Sequence, residues 1–304
     1  MKPEVTVIIP TYGSNTEPCR AIDSALAQEN VVVEVIVVDD NGRGTKQQLT
    51  NEELFHRYDD ESRFHYIVHE RNMNGSAARN TGIKAANGVF LCFLDDDDEL
   101  ADPYKLSVQF REGVNLDSTW AGTYSSCDIY HGDTYVHTTK AEQSGILLKP
   151  YMLDDLRIET AAPVIRRDAV LSIGGFDASF VRHQDWEFFA RLLDVYKLKA
   201  VCQVTYRRIY KLGVGKRSAE NRLILMDKYT NTMRSCIKSL DEQTLMSVIR
   251  KKYIQIVYAF LGEKRFARAW AVIKQHKYPI NECILMFWGG IRYLIRRMIY
   301  GSHY

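Results

Sequence analysis

A run of four consecutive aspartates, residues 95–98, directly follows the apolar segment 89–94 in the stretch FLCFLDDDDEL. Neighbouring carboxylates repel one another, and a partly buried carboxylate either shifts its pKa or binds a cation. Mg²⁺, Mn²⁺ and Ca²⁺ prefer such oxygen ligands. The apolar segment is typical of a buried strand, and in open α/β sheets ligands bind beyond the carboxyl ends of strands. We therefore predict a divalent-metal site here, with a solvated acidic turn as the alternative.

Residues suited to nucleotide binding follow the other strand-like segments. Tyr12 comes after VTVIIP and offers a flat face to a base, unless it packs in the core. Asp39 ends the segment EVIVVD and can accept a hydrogen bond from a base or a ribose, unless it only precedes the Asn-Gly turn. In NGSAARN, Gly75 opens a predicted helix whose N–H groups favour phosphate, and Arg79 is either a phosphate clamp or the partner of a surface acid. Together these residues suit a nucleotide bound with a metal.

The composition of the chain limits the classes of protein to which it can belong. The chain has 304 residues, of which 46% are hydrophobic and 26% are charged, as in soluble globular proteins. No stretch of about 18 apolar residues is present, so we expect no transmembrane helix. The opening MKPEVTVIIP leads directly into a strand, so we expect no signal peptide. The six cysteines show no CxxC spacing, and Cys92 and Cys202 lie in apolar segments, which predicts reduced, buried thiols in a cytoplasmic protein.

The order of elements predicts the fold class. The first hundred residues alternate strand and helix patterns in the order βαβαβαβ, which predicts an α/β fold with a mostly parallel sheet flanked by helices. Residues 120–139 predict a hairpin, 183–196 a helix and 199–208 a strand. The pattern is helical from residue 219 onward. We therefore expect an α/β domain over 1–218 and a helical region over 219–304.

The helical region is strongly basic. Residues 205–304 hold 20 of the 40 Lys and Arg but only 6 of the 38 Asp and Glu. Within it, the segment 284–300 has aromatic and aliphatic residues on one helical side and arginines on the other, a pattern typical of interfacial helices. We predict that this segment binds an anionic membrane surface at the cytoplasmic face, or that it packs on the enzyme or on a second copy of the chain as a homodimer. No nucleic-acid motif accompanies the basic residues, so nucleic acid is not an expected partner.

Six motifs occur in a characteristic order: VTVIIPTYG, EVIVVDDNG, NMNGSAARNTGIKAANG, FLDDDDEL, GGFD and QDWEFFARL. Over residues 4–210 the chain thereby resembles the inverting family-2 glycosyltransferases with the GT-A fold, of the type that builds bacterial cell-surface polysaccharides. The resemblance implies a GT-A nucleotide-sugar-binding domain followed by a C-terminal helical extension.

The resemblance also implies roles for the matching residues. Asp95 and Asp97 match the DxD element that binds Mn²⁺ or Mg²⁺. The four acids leave the register open by one residue, so Asp98 is a third candidate ligand and Asp96 is an alternative one. Asp185 matches the general base of the Glu-Asp motif, although Gln184 replaces the glutamate. The residues that would contact the nucleotide-sugar are Pro10, Thr11, Tyr12, Asp39, Gly75, Arg79 and Asp96.

The implied reaction is the transfer of one sugar from a UDP-sugar to the hydroxyl of a glycan or lipid-linked acceptor, with inversion at the anomeric carbon. Asp185 would take the proton from the acceptor hydroxyl. The metal and Arg79, with basic residues of the loop 211–218, would stabilise the leaving diphosphate. The Gln-x-x-Arg-Trp element of processive synthases is absent, which favours the addition of a single sugar.

Two other functions remain open at this point. A nucleotidyltransferase that forms sugar nucleotides also needs a metal and a nucleotide site, but PTYGSNTEPCR lacks the Gly-rich, Arg-containing signature of that class. A non-catalytic nucleotide- or metal-binding module would share the acidic strand ends, but it would have no use for Asp185.

Overall fold

The computed structural model describes residues 2–13, 18–210 and 218–279, apart from the side chain of residue 204. The chain divides into two compact units, Met1–Gly213 and Val214–Tyr304. This division lies near the boundary predicted after residue 218. Most of the predicted basic loop, residues 211–217, and the whole amphipathic segment 284–300 lie outside the described residues.

Four parallel strands form the first half of the sheet in the first unit. They are β1 Val5–Thr11, β2 Val33–Asp39, β3 Phe64–Val68 and β4 Phe90–Phe93, in the spatial order β3-β2-β1-β4. Every residue of β2 and β4 is buried, as expected for parallel strands covered by helices on both faces. The helices are α1 Pro18–Leu26, α2 Lys46–Phe55, α3 Gly75–Ala85 and α4 Lys105–Val114, with a 3₁₀ turn at His56–Tyr58. The predicted parallel α/β arrangement is confirmed.

The second half of the sheet is mixed. Its strands are β5 Trp120–His131, β6 Thr134–Thr139, β7 Pro163–Arg166 and β8 Lys197–Tyr210. β7 pairs antiparallel with both β4 and β5, β5 and β6 form the predicted hairpin, and β8 runs parallel to β5. The helices here are α5 Leu148–Met152, α6 Arg167–Ser172 and α7 Gln184–Val195. The eight strands therefore form one sheet in which β7 joins the parallel half to the hairpin.

A register shift in β8 corrects one expectation about the cysteines. Val201 and Thr205 pair with two consecutive residues of β5, so the three residues between them have no partner in the ladder. Cys202 lies in this bulge and is exposed, whereas Cys92 in β4 is buried. The expectation of burial is confirmed for Cys92 and is wrong for Cys202, because an apolar run does not reveal a bulge that turns one residue outward.

A glycine sets how closely α3 packs on the sheet. A Cβ atom at Gly82 would lie only 2.4 Å from Cγ2 of Ile8 in β1. Any larger residue would push α3 away from β1, because cores are close-packed and have no room for an added carbon. The small residue therefore allows α3 to pack directly against β1.

The second unit is helical over its described part, as the sequence predicted. Its helices are α8 Ala219–Cys236, α9 Glu242–Gly262 and α10 Phe266–Gln275. Side chains of Ser218 and Asp241 cap the first two helices by accepting hydrogen bonds from backbone N–H groups. Among the helices described, none has both the length and the hydrophobicity needed to cross a membrane.

Candidate active site

The carboxyl ends of β1 and β4 lie side by side and bring two predicted segments together. Ile8 of β1 pairs with Phe93 of β4. Beyond these strands, the hydroxyl of Thr11 donates a 2.6 Å hydrogen bond to Oδ2 of Asp96, and both side chains are buried. The aspartate run is therefore anchored at the sheet edge through Asp96, where α/β proteins bind their ligands.

Arg79 joins three separate segments at this edge. Its Nη2 donates a 2.6 Å hydrogen bond to Oδ1 of Asp95, and its Nη1 donates a 3.0 Å bond to Oε1 of Gln184. Its guanidinium carbon lies 5.4 Å from the centre of the Phe176 ring. Nε of Arg79 is buried and has no hydrogen-bond partner among the described residues. The planar fork of an arginine can hold two partners at once, so Arg79 fixes α3, the aspartate run and the start of α7 relative to one another.

Gly75 permits the close approach of α3 and α7. A Cβ atom at this position would lie 3.0 Å from Oε1 of Gln184 and 3.1 Å from Nη1 of Arg79. The preceding residue, Asn74, has φ 75° and accepts hydrogen bonds on its side chain from two N–H groups of the first turn. The helix start is therefore capped by Asn74 and is compact enough to face the sheet edge.

A cavity of about 480 Å³, here called the first cavity, lies between these segments. It contains most of the residues predicted to bind a nucleotide-sugar. Tyr12 is 63% exposed, which excludes the alternative that it packs in the core. Arg79 pairs with an acid of the cavity rather than with a remote surface acid. The lining residues are Pro10, Thr11, Tyr12, Asp40, Asn72, Asn74, Gly75, Ala78, Arg79, Asp95, Asp96, Asp97, Val181 and Gln184.

The two acids at the end of β2, Asp39 and Asp40, are placed differently. Asp39 is fully buried and does not line the first cavity. Its carboxylate accepts hydrogen bonds from the N–H of Asn41, from the Asn51 amide and from the Tyr66 hydroxyl. Asp40, which the sequence analysis did not single out, lines the cavity instead. The contact of Asp39 with a base stays a prediction, and the structure shows this residue holding the loop after β2.

Asp98 is separated from its neighbours in the aspartate run. It is only 2% exposed and does not line the first cavity. Its Oδ1 accepts a 3.0 Å hydrogen bond from the N–H of Ile209 in β8. Burial, with added repulsion from Asp95, raises the pKa of Asp98 well above its usual range. The expectation that Asp98 ligates a metal does not fit this position, because its carboxylate faces β8 rather than the cavity.

The remaining aspartates fit one type of metal site. Among the described residues, no group of three His, Cys, Asp or Glu side chains is placed to hold a metal ion. Asp95 and Asp97 both line the first cavity. Mg²⁺ commonly uses only one or two protein carboxylates and completes its coordination with water and substrate phosphates. The carboxylates of Asp95 and Asp97 therefore suit a divalent ion that also binds a phosphorylated ligand. They do not suit a site in which the protein supplies every ligand.

A second cavity of about 410 Å³ adjoins the first. The two cavities share four lining residues, Arg79, Asp95, Val181 and Gln184, so they adjoin each other and are together called the cleft. The second cavity is further lined by Arg157, Glu159, Thr160, Arg182, His183, Asp185, Trp186, Arg208 and Tyr210. The predicted base therefore lines the second cavity, whereas most of the predicted nucleotide residues line the first.

Asp185 has the electrostatic environment of a base. It lies in the first turn of α7, and the residue before that helix, His183, has a left-handed φ of 57°. Burial raises the pKa of Asp185, and repulsion from Asp95 adds to this effect, while the N–H of Trp186 and the charge of Arg79 oppose it. A carboxylate with a raised pKa binds a proton more strongly, which suits it to accept one from a hydroxyl.

Several lining residues of the second cavity were not identified from the sequence. Glu159 is 5% exposed and forms an ion pair with Arg208 of β8. Arg157 and Trp186 also line the cavity. A charged residue such as Arg208 within a predicted strand could have indicated a functional position. Nothing in the sequence around Glu159 marks it as a functional residue.

Comparison with known sequences supports the same family. Residues 6–125 match the family described as glycosyl transferase family 2. The chain is 33% identical over 160 residues to the uncharacterized glycosyltransferase EpsJ of Bacillus subtilis, a match covering 52% of this chain and 44% of EpsJ. It is 27% identical over 196 residues to the amylovoran biosynthesis glycosyltransferase AmsB of Erwinia amylovora, which covers 61% of this chain and 62% of AmsB. The chain thus spans about half the length of these relatives.

Solved structures share the fold. S. aureus TarS 1–349 in complex with UDP-GlcNAc superposes with a TM-score of 0.61 at 18% identity, covering 90% of this chain and 81% of TarS 1–349. The mannosyltransferase PcManGT of Pyrobaculum calidifontis, in complex with GDP-Man and Mn²⁺, superposes with a TM-score of 0.57 at 16% identity and covers 97% of this chain and 81% of that protein. Residues 6–125 thus match glycosyl transferase family 2, and the chain shares the GT-A fold of these solved glycosyltransferases.

Proposed function

We propose that this protein transfers a single sugar from a nucleoside diphosphate sugar to an acceptor hydroxyl, with inversion, in bacterial polysaccharide biosynthesis. The observation that carries the proposal is the pair of adjoining cavities: Asp185 lines the second, most of the predicted nucleotide residues line the first, and Arg79 and Asp95 line both. A nucleotidyltransferase or a non-catalytic module would not need a base with a raised pKa in the second cavity. The relation to AmsB supports the setting in polysaccharide biosynthesis.

The first cavity would hold the donor. Exposed Tyr12 offers its ring to the base, and the capped start of α3 with Arg79 offers positive charge to the diphosphate. Asp95 and Asp97 would hold a Mn²⁺ or Mg²⁺ ion, which when bound stabilises negative charge on the leaving diphosphate. UDP is the nucleotide we favour, and the TarS complex with UDP-GlcNAc supports this choice. The Mn²⁺ of the PcManGT complex supports the use of a divalent ion.

The second cavity would hold the acceptor. An alcohol is a weak nucleophile until its proton leaves, so Asp185 accepts that proton as the oxygen attacks the anomeric carbon. Attack from the side opposite the diphosphate inverts the anomeric configuration. Arg79 stabilises the charge that develops on the leaving group and at the same time orients Gln184, which precedes the base in α7.

The test of this function is a panel of UDP- and GDP-sugars with Mn²⁺ or Mg²⁺, in which release of nucleoside diphosphate is measured with and without lipid-linked or glycan acceptors. We expect acceptor-dependent release of UDP that stops when the metal is chelated. Formation of a sugar nucleotide from a sugar phosphate, or binding of nucleotide without any turnover, would instead support one of the two alternative functions.

The acceptor is proposed to be lipid-linked and the protein to act at the inner face of the cell membrane, because the basic segment 284–300 has the pattern of an interfacial helix. Co-sedimentation with anionic liposomes should be stronger for the full chain than for a chain ending at residue 279. Equal binding would refute this location. Sedimentation velocity on the full chain would reveal whether that segment serves a homodimer instead.

The rate should depend on pH through Asp185. Because burial raises the pKa of this carboxyl, its ionised, active form is lost at a higher pH than for an ordinary aspartate. We expect kcat to be constant at neutral pH and to fall as the pH decreases through this raised pKa. The other charged groups that line the second cavity are Arg79, Asp95, Arg157, Glu159, Arg182, His183 and Arg208. An acidic limb at the usual pKa of a free aspartate, about 3.9, would contradict this environment.

A further inference from the structure

Glu159 has an unusual position in the second cavity. It lies in the segment before β7, is 5% exposed and lines the cavity together with Asp185. One carboxylate oxygen, Oε2, forms an ion pair with Nη1 of Arg208. The other oxygen, Oε1, is buried and accepts no hydrogen bond from any of the described residues, and Nε of Arg157 lies 3.7 Å away from it.

A buried carboxylate oxygen without a hydrogen bond costs free energy, so such groups usually have a partner that is supplied from elsewhere. Because Glu159 lines a cavity, that partner can be a hydrogen-bond donor on a ligand. A hydroxyl group fits this position, since it donates one hydrogen bond and accepts others. The guanidinium of Arg157, which is 60% exposed, can donate to a neighbouring hydroxyl of the same ligand.

Aromatic rings are also present in the cavity. The rings of His183 and Trp186 are stacked, with centroids 4.4 Å apart and an angle of 24° between their planes. Both residues line the second cavity. Ligand sites commonly combine aromatic surface with a few precisely placed polar groups, and a sugar ring, with its apolar C–H faces and its rim of hydroxyls, matches that combination.

The charges of the cavity disfavour other acceptor groups at this position. At Oε1 of Glu159, an ionised phosphate or carboxylate would meet a negative charge and would have no proton to donate in a hydrogen bond. A lipid alcohol would bring a hydrocarbon chain into a cavity lined by three acids and four arginines. These charged side chains would lose their hydration, and the hydrocarbon chain offers no hydrogen bonds in exchange. A neutral polyol satisfies these groups without adding charge.

We infer that the second cavity binds a neutral sugar ring of the acceptor, and that Glu159 Oε1 accepts a hydrogen bond from one of its hydroxyls while Arg157 donates to an adjacent one. This inference rests on the proposed function and narrows it, because the sugar receiving the transfer is then recognised through a hydroxyl other than the one that reacts. Glu159 is a specificity-determining residue and takes no part in the proton transfer.

The test measures binding of octyl glycosides of glucose, galactose, mannose and N-acetylglucosamine to the full chain with UDP and Mn²⁺, by saturation-transfer NMR and titration. We expect at least one glycoside to bind, and Glu159→Gln to weaken it by about tenfold or more, because a hydrogen bond to a charged group is lost. Deoxy analogues of the bound glycoside identify the hydroxyl that Glu159 contacts. The analogue that lacks this hydroxyl should bind weakly to the parent protein, and its affinity should be the same for Glu159→Gln. Glu34→Gln is the matched control, since Glu34 is also buried and hydrogen-bonded but lies near the start of β2.

Two outcomes would overturn the inference: no glycoside of the panel binds, or Glu159→Gln binds it as tightly as Glu34→Gln does. Acceptor-dependent nucleotide release by the parent protein and both variants is measured in parallel, with the lipid-linked and glycan acceptors of the functional test. If either of those outcomes occurs while both variants retain this release, the proposed function stands and only the role of Glu159 is wrong. If donor turnover is absent in the parent protein, the proposed function itself fails.

Discussion

Replacing Asp185 with asparagine is expected to lower kcat by a factor of about 10² to 10⁴ and to leave the affinity for the nucleotide nearly unchanged. Asparagine keeps the shape of the side chain and can still accept the hydrogen bond from the N–H of Trp186, but it cannot take a proton. The nucleotide residues lie in the first cavity, away from this change. Nucleotide release in the presence of acceptor and titration with UDP would measure the two effects separately.

The same variant should be at least as stable as the parent protein. Because the pKa of Asp185 is raised, the folded state binds this proton more tightly than the unfolded state, and stability falls as the pH rises through that window. At neutral pH the ionised carboxylate therefore destabilises the fold, and asparagine removes that cost. Thermal unfolding at pH 7 should show a midpoint that is equal or higher.

Asp168 provides the matched control for Asp185. It also lies in the first turn of a helix, α6, but its side chain is 78% exposed. An acid in this position can stabilise a helix through the macrodipole by about 0.3 to 1 kcal/mol. Asp168→Asn should therefore change stability slightly and turnover not at all. If Asp185→Asn behaves in the same way, Asp185 is only a helix-terminal residue and the assignment of the base is wrong.

Arg79→Lys should lower kcat/KM for the donor by a factor of about 10². Lysine keeps the positive charge, but its single ammonium group cannot hold both Asp95 and Gln184 as the guanidinium does. The loss should be present in the affinity for UDP as well as in turnover, because the first cavity and the start of α7 both depend on this residue. Titration calorimetry with UDP and initial rates at varied donor concentration would measure the two contributions.

A surface arginine serves as the comparison for Arg79. Arg43 donates to Glu70, and their side chains are 59% and 78% exposed. Exposed pairs of this kind contribute little, so Arg43→Lys should leave rate and stability unchanged. Near-normal kcat/KM in Arg79→Lys, with a folded protein by circular dichroism, would show that the residue is a structural link only.

The parallel half of the fold and much of the first cavity could be predicted because the signals are local. Each buried strand is a continuous apolar run, and the residue types that can bind ligands follow directly at its carboxyl end. Thr11 and Asp96 are 85 positions apart, yet each is marked by its own strand. Because the carboxyl ends of parallel strands lie at the same edge of a sheet, the two residues are predicted to lie at that edge.

The second cavity could not be predicted in the same way. Glu159 and Arg208 meet only because β7 inserts antiparallel beside β4 and β8 aligns with β5, and no short-range pattern encodes these pairings. The position of Asp98 depends on a contact with β8 that is equally remote in sequence. The exposed Cys202 follows from a bulge that the alternation of residues does not reveal.

The amide at position 184 has a consequence for the balance of charge in the cleft. Where the family motif has glutamate, this chain presents a neutral group to Nη1 of Arg79. Among the described residues, Asp95 forms an ion pair with this arginine, and a glutamate at position 184 would add a second carboxylate in contact with it. More of the positive potential of Arg79 therefore remains available to an incoming polyanion. Because partly buried charges are screened less than exposed ones, this attraction should depend only weakly on ionic strength.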